Sequence, residues 1–370
     1  MTARAQTDSP GTALVTGGGG FLGRAICERL LERGWRVRSL SRGDYPELRK
    51  IGVETHRGDL SAAEGIDDAC RDCDVVYHVA AKAGVWGPAR EYEAANVRGT
   101  EAVLRACRSA GVARLIYTSS PSVVSGQSRD RKEAVSRRTS PTREDRFLKG
   151  ATLTGIDESA PYPRKFATHY SRTKAEAERM VLAADGASLR TLALRPHLIW
   201  GPRDNHIVPR LVARARAGRL RQVGDGKNVV DTTYIDNAAD AHLAAADALL
   251  TNPSASGRAF FISNGEPRPL WELINGILAA AGIGPVRKTI SHRTARRMGA
   301  LLELTYAALH IKSEPPMTRF VADELATSHW FDLSAARREL GYAPTVTIEE
   351  GLRRLATWFA AQRSAATRGG

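Results

Sequence analysis

Apolar runs alternate with segments of helical period through the first half of the chain. Short apolar runs near 12–16, 35–40, 53–57, 74–79, 113–119 and 189–195 read as strands. Between them, apolar positions recur at three- and four-residue spacing, the mark of helices packed on one face. Strands separated by helices predict βαβ units, and hence a doubly wound parallel sheet covered on both faces. Right-handed crossovers then direct any ligand crevice to the carboxyl ends of the strands. After residue 195 the alternation fades, and Pro196, Gly201, Pro202, Pro209, Gly224 and Gly226 punctuate the chain. Helical patterns return near 236–250, 269–282, 293–311 and 347–363. The expected organisation is α/β: the parallel sheet over 1–195, and a smaller mixed C-terminal lobe over 196–370.

Two segments depart from this pattern. Residues 127–150 hold eight Lys/Arg against four Asp/Glu and almost no large apolar side chain. Such a stretch cannot bury enough surface to offset its ordering entropy, which predicts a flexible basic surface insertion. The helix over 293–311 is basic at its start and apolar later. That suits a membrane surface or, more commonly, packing against the protein's own core.

Composition changes the picture little. The 370 residues are 42% apolar and 25% charged, with no run able to span a bilayer. The first eleven residues lack an apolar signal core, and four cysteines without a repeating framework suit a reducing compartment. Cytoplasmic localisation is therefore expected. Cys70 and Cys73 have C-x-x-C spacing, but no second pair completes a metal site, and none is expected. The net charge of +14 admits acidic ligands or an anionic membrane. No nucleic-acid-binding motif accompanies it, so no nucleic-acid partner is expected.

The chemistry is concentrated in three places. The first is Thr16-Gly17-Gly18-Gly19-Gly20-Phe21-Leu22-Gly23, between an apolar strand and a helix. Glycines there allow a tight turn, close approach to a pyrophosphate and close helix–strand packing. The free N–H groups of the helix start, over Phe21, Leu22 and Gly23, favour phosphate. Two registers fit, Gly17/Gly20/Gly23 and Gly18/Gly20/Gly23; either makes the sheet Rossmann-type. The second place is Tyr170-Ser171-Arg172-Thr173-Lys174 on a helix. Spacing of i and i+4 puts phenol and ammonium on one face, where the ammonium lowers a phenol pKa from its usual ~10 toward useful acid–base range. The third is Tyr117-Thr118-Ser119-Ser120, a strand ending in hydroxyls able to hold a carbonyl oxygen as charge develops on it.

In this order, the glycine run, the serine-tipped strand and Tyr-x-x-x-Lys resemble the extended short-chain dehydrogenase/reductase superfamily. The resemblance covers nearly the whole chain except the insertion. It implies that Ser120 orients the carbonyl, Tyr170 transfers the proton and Lys174 binds ribose and activates the tyrosine. It further implies adenine-side contacts at Asp59 and Leu60, and contacts beside the nicotinamide ribose at Ala80, Ala81 and Lys82, with Pro196 closing the sixth strand. Asn96-Val97-Arg98-Gly99-Thr100 and Gly341-Tyr342-x-Pro344 are further matching motifs. NAD-preferring relatives end the second strand in an acidic residue; the matching position here is Ser41, followed by Arg42. Loss of that carboxylate and gain of a guanidinium point to NADP(H) over NAD(H).

Relatives acting on nucleotide sugars hold the diphosphate with an arginine where this chain has Val230, which argues against a sugar substrate. The stretch Gly224–Asn237 is similar instead to the 3β-hydroxysteroid dehydrogenase branch. Ala80–Gly87 and Arg195–Pro202 look most like its bacterial 2-alkyl-3-oxoalkanoate reductases of olefin and β-lactone biosynthesis. The implied reaction is reduction of a two-tailed, lipid-like β-keto acid; the alternative is a 3β-hydroxysteroid or sterol-4-carboxylate 3-dehydrogenase. Lys82 and His197 are candidate partners for the acid group, and Trp86, Trp200 and the 293–311 helix candidate walls for the tails. A homodimer, peripheral membrane contact and assembly with pathway enzymes complete the expected partners.

Overall fold

The computed structural model describes residues 11–125 and 153–368. The basic insertion at 127–150 thus lies outside the described residues. Seven parallel strands form the main sheet: β1 (Thr12–Thr16), β2 (Arg36–Ser41), β3 (Glu54–Arg57), β4 (Val75–His78), β5 (Arg114–Thr118), β6 (Arg190–Pro196) and β7 (Ala259–Ile262). Their spatial order is β7-β6-β5-β4-β1-β2-β3. Ala13, Leu14 and Val15 in β1 are all fully buried, as a central strand covered on both faces requires.

The chain reverses direction across the sheet between β1 and β4, whose last residues Thr16 and His78 stand side by side. This switch point is where a crevice opens beyond the strand ends. Helices α1 (Phe21–Glu32), α2 (Gly99–Ser109), α3 (His169–Ala183) and α4 (Ile235–Thr251) cover the sheet. Helix α1 lies against α4, with Arg29 Nε 3.1 Å from Asp240.

The six sequence-read strands coincide with β1 to β6 within one or two residues. The split at residue 195, however, is not a spatial one. Ala259–Ile262, from the second half, supplies β7 at the edge of the main sheet, whereas Leu153–Ile156, from the first half, joins the lobe. A four-residue apolar run shows no period of its own, so β7 could not be told from buried helix in the sequence. The lobe sheet orders Arg268–Pro269, Val229–Val230, His329–Phe331 and Leu153–Ile156, with Val230 fully buried in it. The fifth helix used below, α5 (His292–Ala308), packs against Arg319–Glu324 of the lobe.

Candidate active site

The glycine run forms a turn between β1 and α1 that other residues would break. Gly17 has φ +74°, and a Cβ there would sit 3.1 Å from Ala80 Cα, the chain just past β4. A Cβ on Gly23 would lie 2.2 Å from the Gly17 carbonyl oxygen, so only glycine lets α1 start this close to the turn. Gly20 donates its N–H to that carbonyl at 2.9 Å and caps α1 without any side-chain hydrogen bond. No acidic residue occupies the first turn of α1. The N–H groups of Phe21, Leu22 and Gly23 therefore face the crevice side as an anion-binding helix start, a cradle that fits a dinucleotide diphosphate.

At the end of β2, Ser41 takes the place of a carboxylate, and Arg42 beside it is exposed. The next carboxylate along, Asp44, is engaged by the Arg49 guanidinium, which holds its carboxyl below the usual range. Asp59 caps the short turn Leu60–Ala62, accepting from Ser61 N–H at 2.9 Å and Ser61 Oγ at 2.7 Å. The Ser61 hydroxyl is the main cause of its lowered pKa, and the nearby Arg42 charge adds to it.

Ser120, Tyr170 and Lys174 converge beyond β5. The neighbouring serines divide: Ser119 is buried, its N–H bound to Leu194 O at 2.6 Å, whereas Ser120 Oγ donates to Ser122 Oγ at 3.0 Å, accepts from Ser122 N–H at 3.2 Å and stands near enough to the Tyr170 phenol to offset part of its pKa rise. Thr168 caps α3 through the Ser171 N–H at 3.0 Å, which sets Tyr170 in the first turn of the helix. Lys174 donates from Nζ to Thr118 O at 2.5 Å and lies 4.1 Å over the Tyr117 ring. Burial pushes the Lys174 ammonium down to about 7, although the charge of Glu178 works against this. The expected lowering of the tyrosine is not what the structure shows. Burial pushes Tyr170 up, only partly offset by Ser120, and the buried lysine is itself driven toward neutrality. A phenol kept protonated is a proton donor.

Behind these groups runs a hydrogen-bond chain that sequence reading missed. Thr16 Oγ1 accepts from Val79 N–H and Ala80 N–H, each at 3.2 Å, and meets His78 Nδ1 at 2.9 Å. On the other side His78 Nε2 meets Thr100 Oγ1 at 3.0 Å, and Thr100 donates to Asn96 O at 2.6 Å. Since the Thr100 proton is committed to a carbonyl, His78 must donate from Nε2 and accept at Nδ1, as a neutral ring. Burial accordingly pushes its pKa down to about 3, with the Lys174 charge adding to the effect. Asn96, in a π-helical turn leading into α2, accepts from Lys82 N–H at 2.7 Å and donates to Lys82 O at 3.2 Å and Thr173 Oγ1 at 3.0 Å. The chain thus ties the glycine turn, the end of β4 and the helix of Tyr170 into one frame. The motif Asn96–Thr100 was the only sequence signal for it.

Two further clusters hang from the end of β6. Arg195 pairs with the fully buried Glu178 of α3 at 2.6 and 3.0 Å, and Tyr162 adds a hydrogen bond of 2.6 Å to the same carboxylate. This braces α3 one turn beyond Lys174. His197 is bound through Nδ1 to Asp231 at 2.6 Å and through Nε2 to His329 Nδ1 at 3.1 Å. It is a buried structural residue and does not stand ready for a substrate acid. Lys82 Nζ likewise is held by Glu91 at 2.9 Å, over the ring of Tyr92. Trp200 is core, with its indole N–H on Thr232 Oγ1, so it is no channel wall. Trp86, half-buried, meets Tyr306 of α5 edge-on at 6.3 Å. Leu60 packs under α2, where a Cβ on Gly99 would approach its own Cβ to 3.2 Å. Cys70 and Cys73 are buried free thiols.

The family model described as NAD dependent epimerase/dehydratase matches residues 13–258. A protein of Stenotrophomonas maltophilia named 2-alkyl-3-oxoalkanoate reductase is 52% identical over 342 residues, covering 92% of this chain and 97% of that relative. One of the same name from Shewanella oneidensis is 45% identical, over 93% of this chain and 85% of its own length. Among solved structures, MoeE5 in complex with UDP-glucose and NAD superimposes with a TM-score of 0.68 at 24% identity, over 96% of this chain and 100% of that one, a likeness of fold.

Proposed function

The chain belongs to the NAD-dependent epimerase/dehydratase family, and from that premise we propose that it reduces a 2-alkyl-3-oxoalkanoate to the 2-alkyl-3-hydroxyalkanoate with NADPH. The observation that carries this reading is the meeting of Ser120, Tyr170 and Lys174 beyond β5, in a chain 52% identical to a reductase of that name. The glycine turn and the free N–H groups of α1 would hold the dinucleotide diphosphate. Ser41 and Arg42 would meet the adenine ribose, where Arg42 suits a 2′-phosphate and the Asp44 carboxylate that follows is engaged by Arg49. Asp59 and Leu60 would border the adenine, Ala80, Ala81 and Lys82 the nicotinamide ribose, and Pro196 the ring.

When bound, the reduced nicotinamide supplies the hydride for the keto carbon. Ser120 holds the keto oxygen, and Tyr170, kept protonated by burial, gives its proton to that oxygen as negative charge develops there. Lys174 stabilises the phenolate left behind, and its own proton is shared with the Thr118 carbonyl. The frame through His78, Thr100 and Asn96 fixes these groups without taking part in proton transfer, since His78 stays neutral across the working pH range.

The test is turnover of the purified protein, followed by nicotinamide absorbance. A 2-alkyl-3-oxoalkanoate with NADPH should give the fastest rate, and NADH or a sterol-4-carboxylate a slower one. Absence of turnover with every 2-alkyl-3-oxoalkanoate tried would refute the substrate. Tyr170→Phe should lower kcat by roughly 10²–10⁴-fold, the range of a lost general acid; a variant as fast as the parent removes Tyr170 as donor.

A further inference from the structure

Helix α5 presents an apolar face to solvent. Met298, Leu301, Leu304 and Leu309 are 45, 65, 69 and 65% exposed, four of the six exposed large apolar residues among those described. They are not scattered. At the helical repeat of about 100° per residue, Arg293, Leu304, Arg297, Ala308, Leu301, Thr294, Thr305, Met298 and Leu309 form one continuous exposed stripe. The opposite face is pinned to the lobe: Ala295 and Gly299 are buried, and a Cβ on Gly299 would lie 2.5 Å from the backbone at Thr318. Rotation of the helix to hide its leucines is therefore blocked.

Charge on the stripe has one sign. Arg293 and Arg297 stand exposed at its start, and the exposed Lys312 follows its end. The acidic residue of the helix, Glu303, is turned away, taken by Arg319 at 2.7 Å. Asp323 on the neighbouring segment is bound by His292 and Arg296, off the stripe. The helix is too short and too charged to cross a bilayer, and among the described residues no helix is able to. A helix basic at one end and leucine-rich at the other, anchored along its back, fits an anionic lipid surface, with leucines at acyl depth and arginines at the headgroups.

We propose that α5 docks the protein on anionic lipid membranes through Met298, Leu301, Leu304 and Leu309, with Arg293 and Arg297 on the headgroups. The inner side of α5, turned away from this stripe, meets the chain beyond β4. Trp86, on the segment that follows Ala80 and Ala81, donates its indole N–H to Ile311 O at 3.1 Å and packs on Tyr306. The proposal stands on the helix alone and does not depend on which substrate is reduced.

Vesicle flotation of the full chain tests it. The parent protein should float with vesicles of equimolar phosphatidylcholine and phosphatidylglycerol and stay down with phosphatidylcholine alone. The double variant Leu301→Glu/Leu304→Glu should lower the bound fraction about tenfold. Arg293→Glu/Arg297→Glu should weaken binding and flatten its dependence on salt. Thermal melts by circular dichroism confirm that the variants fold, both pairs being at the surface. A parent protein that does not float, or a leucine variant that floats equally well, overturns the proposal. So does an oligomer that Leu301→Glu/Leu304→Glu splits in light scattering while the parent ignores lipid, since a second copy would then cover the face. No outcome touches the reductase reading, because no substrate is present.

Discussion

His78 and His197 lie at the carboxyl ends of β4 and β6, both shut away from water, and they are held in opposite ways. His78 sits between two threonine hydroxyls whose protons are already assigned, so its ring is complete with a single proton. His197 faces a carboxylate on one side and another imidazole on the other. His329 Nε2 must donate to the carbonyl of Glu324 at 3.0 Å, which leaves His329 Nδ1 an acceptor. Burial also drives His329 toward the neutral form. The 3.1 Å contact then closes when the two rings together carry one proton more than a neutral pair, with Asp231 beside His197 and Glu324 Oε2 3.5 Å from His329 Nε2 to balance the charge. Asp231 in turn accepts from Ser263 Oγ at 2.8 Å and Phe331 N–H at 3.1 Å. One histidine is thus a neutral strut behind the cofactor cradle. The other is the centre of an ionic joint between the main sheet and the lobe.

The sharpest way to break this contrast is to remove the charge balance. Asp231→Asn takes the buried counter-charge from this histidine pair in a site closed to water. Loss of one partner from a buried charged pair costs about 3–5 kcal/mol, and urea unfolding at neutral pH should show a loss of that size. A loss below about 1 kcal/mol, the scale of an exposed pair, would mean that the His197–His329 pair carries no charge there and that the two joints are alike.

The second test uses acid. The folded pKa of His78 lies at about 3, below its unfolded value of 6.5, so the unfolded chain takes up a proton that the fold refuses. The stability contributed is complete above pH 6.5 and is lost progressively as pH falls from there toward 3. By pH 5 the loss amounts to about 2 kcal/mol, one and a half pH units at 1.36 kcal/mol each. Carboxylates titrate in the same range, so the measurement is the stability gap between the parent and His78→Gln at pH 7 and pH 5. The gap should narrow by that amount on acidification; a constant gap would show His78 protonating freely in the fold.

Neither histidine's role was legible in the sequence, and the reason is distance along the chain. Strands β1 to β6, the glycine turn and the Tyr170–Lys174 pair are local patterns: an apolar run, a spacing of three, a spacing of four. They survive reading one window at a time. His78 joins Thr16, 62 residues away, and His197 joins His329, 132 residues away, so no window holds both partners. Chemistry alone also misled. His197 looked like a cation waiting for an acid, and found Asp231; Lys82 looked the same, and found Glu91. The α5 leucines, for which the sequence left a membrane surface and the protein's own core both open, lie outside. The choice of Ser120 over Ser119 rests on family register in the sequence; in the structure Ser119 is buried with its N–H on Leu194 O, and Ser120 lies near Tyr170.

The smallest effect probes the neutral strut from its far end. Thr100→Val keeps the shape of the side chain but takes away the oxygen that accepts from His78 Nε2 and donates to Asn96 O. The ring N–H is then buried without a partner, at a cost of about 1–3 kcal/mol, below that expected for Asp231→Asn because no charge is stranded. His78 has one escape: moving its proton to Nδ1 would require the Thr16 hydroxyl to turn from donor to acceptor. Thr16 Oγ1 already accepts from Val79 N–H and Ala80 N–H, so that escape is crowded. The strain should therefore pass to the segment at Ala80, which lies against Gly17 in the cofactor cradle. The expected signature is a raised KM for the dinucleotide with little change in kcat, alongside the modest stability loss seen in urea. A variant with unchanged dinucleotide KM would show that the strut holds the fold and not the cradle. Equal losses for Thr100→Val and Asp231→Asn would erase the distinction between the two histidines altogether.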